Sequence, residues 1–221
     1  MRATNPASNP ELLDALANSF VESNFDLKEL VRTICYSSVY QLSSEPNQYN
    51  VKDKQAFSRY YPKRLKAETL LDAIDQVTGA ATNFSGVPSG TKAIQLPDSG
   101  FDNYFLKVFG RPESASACEC ERSTDANLAQ SLHLINSSDI HGKISADSGR
   151  AAALASEKRD QAAKIRDLYL AALARDPSAD ETKSLMEYLQ RKMKDGDEAA
   201  RPAYEDIVWT LINTKEFLFN H

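Results

Sequence analysis

Two cysteines one residue apart, Cys118 and Cys120 in "ACECER", are the first groups in this chain whose spacing could do chemistry. In an extended backbone, residues i and i+2 point to the same side, so the pair could offer two thiolates to one metal ion. His133 and His141 follow and could complete a ligand set. A structural zinc site usually shows cysteines two to four residues apart, however, and covalent c-type haem needs C-x-x-C-H, which is absent. A disulfide within C-x-C is strained and would leave Cys35 unpaired. The alternative is a structural elbow in which Glu119 and Glu121 pair with Arg111 and Arg122 and need no cation. We expect the elbow: no catalytic residue, no bound cofactor, and Cys118, Cys120 and His133 as the weak candidates for metal.

A second group is acidic. Glu68, Asp72 and Asp75 stand at i, i+4 and i+7, so three carboxylates share one helix face. Such a row can do acid–base work or hold Mg²⁺ or Ca²⁺. It is also what a solvated face looks like, paired to neighbours such as Arg64 and Lys66, and that is the expectation here. His133 lies beside an apolar stripe and reads as packing, because a histidine becomes a base through its partners. The chain has no G-x-S-x-G, H-E-x-x-H, P-loop or dinucleotide fingerprint. That counts against an enzyme without excluding one.

The elements that must position these groups are helical. Asn9 is a good N-cap and Pro10 suits the first helical position, ahead of Leu12, Leu13, Leu16 and Phe20. Asp26 with Glu29 reads as a capping-box start for Leu27, Leu30, Val31, Ile34 and Cys35, which makes Cys35 a core thiol. "SSEPNQYNVKDKQAFSRYYPKR" reads as loop with a short helix. Ala67, Leu70, Leu71, Ile74 and Val77 mark a firm helix stopped by Gly79. From Ala80 to Gly100 the glycines and prolines predict a long loop, with "KAIQL" (Lys92–Leu96) the one plausible strand. "DNYFLKVFG" is a short helix closed by Gly110, and another begins near Ser123. Ile165, Leu168, Tyr169 and Leu173 mark a helix ended by Pro177. Ser178 and Glu181 form a capping box before Leu185, Met186, Leu189 and Met193, and Tyr204, Ile207, Val208, Leu211 and Ile212 mark the last helix.

These patterns predict an all-α, multi-helix domain of six to eight helices, with a long Gly/Pro-containing loop and at most a marginal β hairpin. One helical domain over 1–221 is expected, with a subdivision into 1–150 and 151–221 as the alternative. At 221 residues, 42% hydrophobic and 26% charged, the chain can bury a core without metal or disulfide support. Its net charge of −5 argues against a nucleic-acid partner, which needs a basic face. No apolar run is long enough for a membrane span. "MRATNPASNPELL" has no apolar stretch of a signal peptide, and "RATNPASNP" reads as a linker entering a helix. Met1 is therefore read as an internal or added methionine, and the first helix is expected to expose Leu12, Leu16 and Phe20 to an upstream segment.

Several segments together resemble one family: "MRATNPASNPELLDALANSFVESNFDLKELVRTICYSSVYQLSS", "FSRYYPKRLKAETLLDAIDQVTG", "FGRPESASACECER", "LAQSLHLINS" and "AYEDIVWTLINTKEFLFNH". They are similar to planctomycete-specific domain one, a domain of unknown function at the C-terminus of large planctomycete proteins. Some of those proteins also carry a cytochrome c domain, and many have export signals. The resemblance implies a C-terminal piece of a longer, exported or periplasmic protein. It implies no established reaction, and the missing haem motif means that haem attachment is not inherited. The expected function is a non-catalytic helical interaction or scaffold module of a cell-envelope protein, with upstream domains of the same polypeptide or envelope proteins as partners. The alternative is an enzyme, such as a hydrolase of envelope polysaccharide or sulfated substrates, using Glu68, Asp72 or His133 under the Ala80–Gly100 loop.

Overall fold

The computed structural model describes residues 7–53, 56–98, 100–112, 130, 134–195 and 199–220. The chain forms two compact units, Met1–Pro62 and Lys63–Asn220. Position 150 falls inside the second of them. Ten α-helices lie within the described residues, more than periodicity alone predicts, because several are only one or two turns long.

The first unit holds α1 (Pro10–Glu22) and α2 (Leu27–Tyr36). Asn9 is extended, its side chain accepts from the Leu12 N–H at 3.0 Å, and Pro10 takes the first helical position. The turn to α2 places Asn24 and Phe25 at φ 55° and 62°. That conformation is unfavourable for a bulky residue. It is held by the Phe25 N–H donating to the Phe20 carbonyl (2.9 Å) and by an edge-to-face contact of the two rings at 5.4 Å. Asp26 caps α2 by accepting from the Lys28 and Glu29 N–H groups, while the Glu29 carboxylate reaches forward to Arg32 at 3.0 Å. The expected capping box is thus a cap on one side only. Neither helix buries a residue. Cys35 is half-buried rather than a core thiol, because α2 has no closed core to place it in. The return stretch is irregular and forms no helix among its described residues; Asp53 accepts from the Ala56 and Ser58 N–H groups.

The second unit is built round α3 (Ala67–Thr78), whose Leu70, Leu71, Ile74 and Val77 are buried as their spacing predicts. Gly79 ends it at φ 73°. After the long loop come α4 (Tyr104–Val108), α5 (Ser138–Ile144), α6 (Arg150–Ser156), α7 (Gln161–Leu173), α8 (Ala179–Lys192), α9 (Ala200–Ile212) and α10 (Lys215–Leu218). The three C-terminal long helices α7, α8 and α9 pack on one another, with Tyr169 buried and Trp209 half-buried against the core. Ile165, Leu168, Leu189, Tyr204, Ile207 and Ile212 are almost wholly removed from water. Each of the leucines and isoleucines among them contributes about 1.5–3 kcal/mol by burial.

The strand content is two residues a side: β1 (Lys63–Arg64) pairs antiparallel with β2 (Phe219–Asn220), Lys63 opposite Asn220 and Arg64 opposite Phe219. This pairing joins the first and last residues of the unit. The Lys92–Leu96 stretch is not a strand; Ala93–Gln95 forms a 3₁₀ turn instead. The reason is tertiary, since the Asp72 side chain captures the N–H groups at the start of that turn.

Two junctions fix how the helices meet. Arg150, at the start of α6, donates from Nε to the Val77 carbonyl (2.8 Å) and from Nη2 to the Gln76 carbonyl (3.0 Å), so it satisfies the C-terminus of α3. Lys164 of α7 is buried, and its ammonium donates to the Leu154 and Glu157 carbonyls at 2.6 Å each, at the C-terminal end of α6. The Tyr204 ring lies 5.4 Å from the same ammonium, and burial pushes the Tyr204 hydroxyl up from its ordinary pKa.

Candidate functional site

The three carboxylates of α3 do share a face, as their spacing requires, but it is not a solvated one. Glu68 is buried, and its Oε1 lies 3.5 Å from the Arg111 Nε. Asp72 accepts from the Ala93 N–H through Oδ1 (2.7 Å) and from the Ile94 N–H through Oδ2 (3.1 Å). Asp75 accepts from the Thr82 N–H (2.6 Å) and hydroxyl (3.0 Å), and its Oδ1 pairs with the Lys143 ammonium at 2.7 Å. Lys143 also donates to the Ala80 carbonyl at 2.9 Å. The expectation of a solvent-facing row is corrected. The acids clasp the Ala80–Gly100 loop and its flank because that loop offers backbone N–H groups with no ladder to join.

This arrangement leaves a cleft of about 320 Å³ between α3 and the loop, lined among others by Asp72, Asp75, Gln76, Thr82, Thr91 and Lys92. A second hollow of about 220 Å³ lies by Phe101, Asp102, Leu106, Lys107 and Arg111. The first is large enough for a small polar molecule. Its carboxylates, however, already accept on both oxygens from groups of the protein. An acid–base pair needs a carboxyl that reaches the substrate's proton, and here the fold has used those positions to hold a loop.

Arg111 is paired with Glu68 and donates from Nη2 to the Asp98 carbonyl. Cys118, Cys120 and His133, together with Glu119, Glu121 and Arg122, lie outside the described residues. Among the described residues no three of His, Cys, Asp and Glu are grouped to hold a metal ion. His141, on α5, is exposed, and its Nε2 lies 3.2 Å from the Ile135 carbonyl.

Spacing did not single out a further charge cluster, centred on Arg175. Arg175 follows Ala174, which ends α7 at φ 55°, and it reaches two carboxylates. Nε and Nη2 meet Glu216 at 2.6 and 2.8 Å, and Nη1 and Nη2 meet Glu181 at 2.9 Å each. The guanidinium also lies 5.3 Å from the Tyr169 ring centroid. Hydrogen bonding to Arg175 holds the Glu181 carboxyl down at about 2, and the Arg175 guanidinium is raised in turn. Glu181 is also the third residue of the α8 capping box that its sequence announces, with the Ser178 N–H donating to it at 2.7 Å. The partner at Glu216 had no local signal, being 41 residues from Arg175.

No helix among the described residues is long and apolar enough to cross a membrane. No curated protein and no solved structure matches the chain. The PSD1 family, described as "Protein of unknown function (DUF1553)", matches residues 2–189, a span that holds both helices of the first unit and the carboxylate face of α3. With most of its length under that match, the chain belongs to the PSD1 family of proteins of unknown function.

Proposed function

We propose that the chain is a non-catalytic helical interaction module of a larger planctomycete cell-envelope protein, exported with it, whose task is to hold other domains or envelope proteins in place. The observation that carries this reading is the contrast between the units. The second has a closed core, whereas α1 and α2 have no fully buried residue and leave Leu27, Val31 and Ile34 exposed at i, i+4 and i+7. An exposed apolar row of that regularity is the mark of a helix that meets a partner. The net charge of −5 disfavours nucleic acid as that partner. The enzyme alternative draws on the cleft beside Asp72 and Asp75, but those carboxylates serve the loop.

Hydroxyl-radical footprinting tests the reading. In the native, full-length protein, Leu27 and Val31 should be labelled several-fold less than in this chain alone at high dilution. Equal labelling in the two would refute the module.

A further inference from the structure

Resting on that reading, we propose that the partner on α1 and α2 is a second copy of the chain, paired across a two-fold axis with α1 of each copy against α2 of the other. On α1, Leu13, Ala17 and Val21 form an exposed row at i, i+4 and i+8, and the next row round the helix is Asp14, Asn18 and Glu22, also exposed. On α2, Leu27 and Val31 form the exposed apolar row, 65% and 51% accessible, and the next row round is Lys28 and Arg32. Every charged residue of α1 is an acid, whereas both basic residues of the pair are on α2. Both helices therefore carry an apolar row with a charged row on the same rotational side, and the two charged rows have opposite sign.

That handedness decides the packing. Successive residues turn about 100° round a helix. When two helices face each other antiparallel, the rows one step beyond their contact rows fall on the same side of the interface; when they run parallel, the rows fall on opposite sides. Antiparallel contact between Leu13–Ala17–Val21 of one copy and Leu27–Val31 of the other thus brings Asp14 and Glu22 beside Lys28 and Arg32. The two-fold axis repeats the match, as an isologous interface requires. The charges are available for it. Among the described residues Asp14, Glu22 and Lys28 have no ion-pair partner, and Arg32 has an exposed one at Glu29 that can be exchanged at little cost. Ala17, at the middle of the α1 row, allows close approach.

The apolar surface is of the right order. Ten large hydrophobic side chains between Leu12 and Tyr40 are exposed, against four in the whole described second unit: Ile94, Tyr104, Ile135 and Leu170. A stable interface takes about 800 Å² from each partner, and the first unit is where the chain exposes most of its large apolar side chains. A second copy is the occupant that brings a matching apolar row and, beside it, a charged row of opposite sign.

Sedimentation equilibrium on the full chain tests this. The unmodified protein should approach twice its 24.5 kDa mass in the micromolar range. Val31→Glu should weaken the dimer at least about tenfold, with the helical circular dichroism unchanged because α2 buries no residue. The decisive measurement is a charge exchange. Asp14→Lys with Glu22→Lys in one chain, and Lys28→Glu with Arg32→Glu in another, should each be monomeric alone and should pair when mixed. A monomeric unmodified chain overturns the second copy as partner, as does a dimer indifferent to Val31→Glu or a mixture that fails to pair. Protection of Leu27 and Val31 in the full-length protein, with the chain itself monomeric, would leave the module standing and remove only the self-pairing.

Discussion

Arg175 grips Glu216 through two hydrogen bonds, 2.6 and 2.8 Å, and grips Glu181 through two more. One guanidinium thereby ties the end of α7 to the start of α8 and to α10. The three side chains are between about a quarter and two-fifths exposed, so solvent screens the network. Arg175→Ala should destabilise the second unit by about 1–2 kcal/mol, above the level of an isolated surface pair, because the geometry is bidentate twice over. Arg175→Lys should recover only part of this, since an ammonium cannot form the planar fork. Urea unfolding followed by circular dichroism measures both.

The same network predicts an acid dependence. The Glu181 carboxyl is held at about 2 in the folded chain against an ordinary 4.5. A carboxyl with a lowered folded pKa adds stability above its unfolded value and loses that contribution as pH falls toward the folded one. The protein should therefore lose stability between about pH 4.5 and pH 2, and Glu181→Gln should flatten that part of the profile. Unfolding midpoints of the two proteins, widely separated at pH 6, should converge near pH 2. Parallel profiles would show that Glu181 is not the group responsible.

Asp72 acts as a cap delivered from another element, 21 residues from the Ala93 N–H it accepts. Asp72→Ala should cost about 0.5–2 kcal/mol, the usual range for a lost cap. It should also raise amide exchange at Ala93 and Ile94 and open the loop to limited proteolysis. Asp72→Asn keeps one acceptor oxygen and should be milder. Unchanged exchange at Ala93 in the alanine variant would contradict the clasp.

Two glycines should respond with opposite sign. A Cβ at Gly149 would meet the Ala146 carbonyl oxygen at 2.9 Å and the Thr78 carbonyl oxygen at 3.1 Å, both backbone atoms where α3 and α6 meet. Gly149→Ala should therefore destabilise by about 1–3 kcal/mol. Gly142, inside α5, faces open space: a Cβ there would have nothing within 4 Å. Gly142→Ala should stabilise by about 0.5–1 kcal/mol through helix propensity. Thermal midpoints of the two variants should move apart.

The cysteine stretch supplies a chemical test. If Cys118 and Cys120 sit in an elbow held by its own charges, a chelator should leave the unfolding midpoint unchanged, whereas Arg122→Ala should lower it. Stoichiometric zinc in protein purified without added metal, lost with Cys118→Ser, would assign the pair to a metal site instead.

What the sequence determined by itself was local. Asn9 with Pro10, Ser178 with Glu181, and Gly79 mark helix ends because a cap and the N–H or carbonyl it satisfies lie within one turn. The stripe of Leu70, Ile74 and Val77 is legible for the same reason: a buried helix face repeats every turn. The tertiary structure decided which distant group each polar side chain would meet. The row Glu68, Asp72, Asp75 has one spacing whether it faces water or a loop. Only packing brought Arg111, Ala93, Thr82 and Lys143 to it. Likewise "KAIQL" reads as a strand until the Asp72 carboxylate takes the N–H groups that a ladder would have used. The β pairing falls instead to Lys63–Arg64 and Phe219–Asn220, which no local signal marks and which meet only because the core between them closes. Caps and periodicity act within a turn of the chain, whereas a hydrogen bond across 41 or 73 residues exists only once burial has brought its partners together.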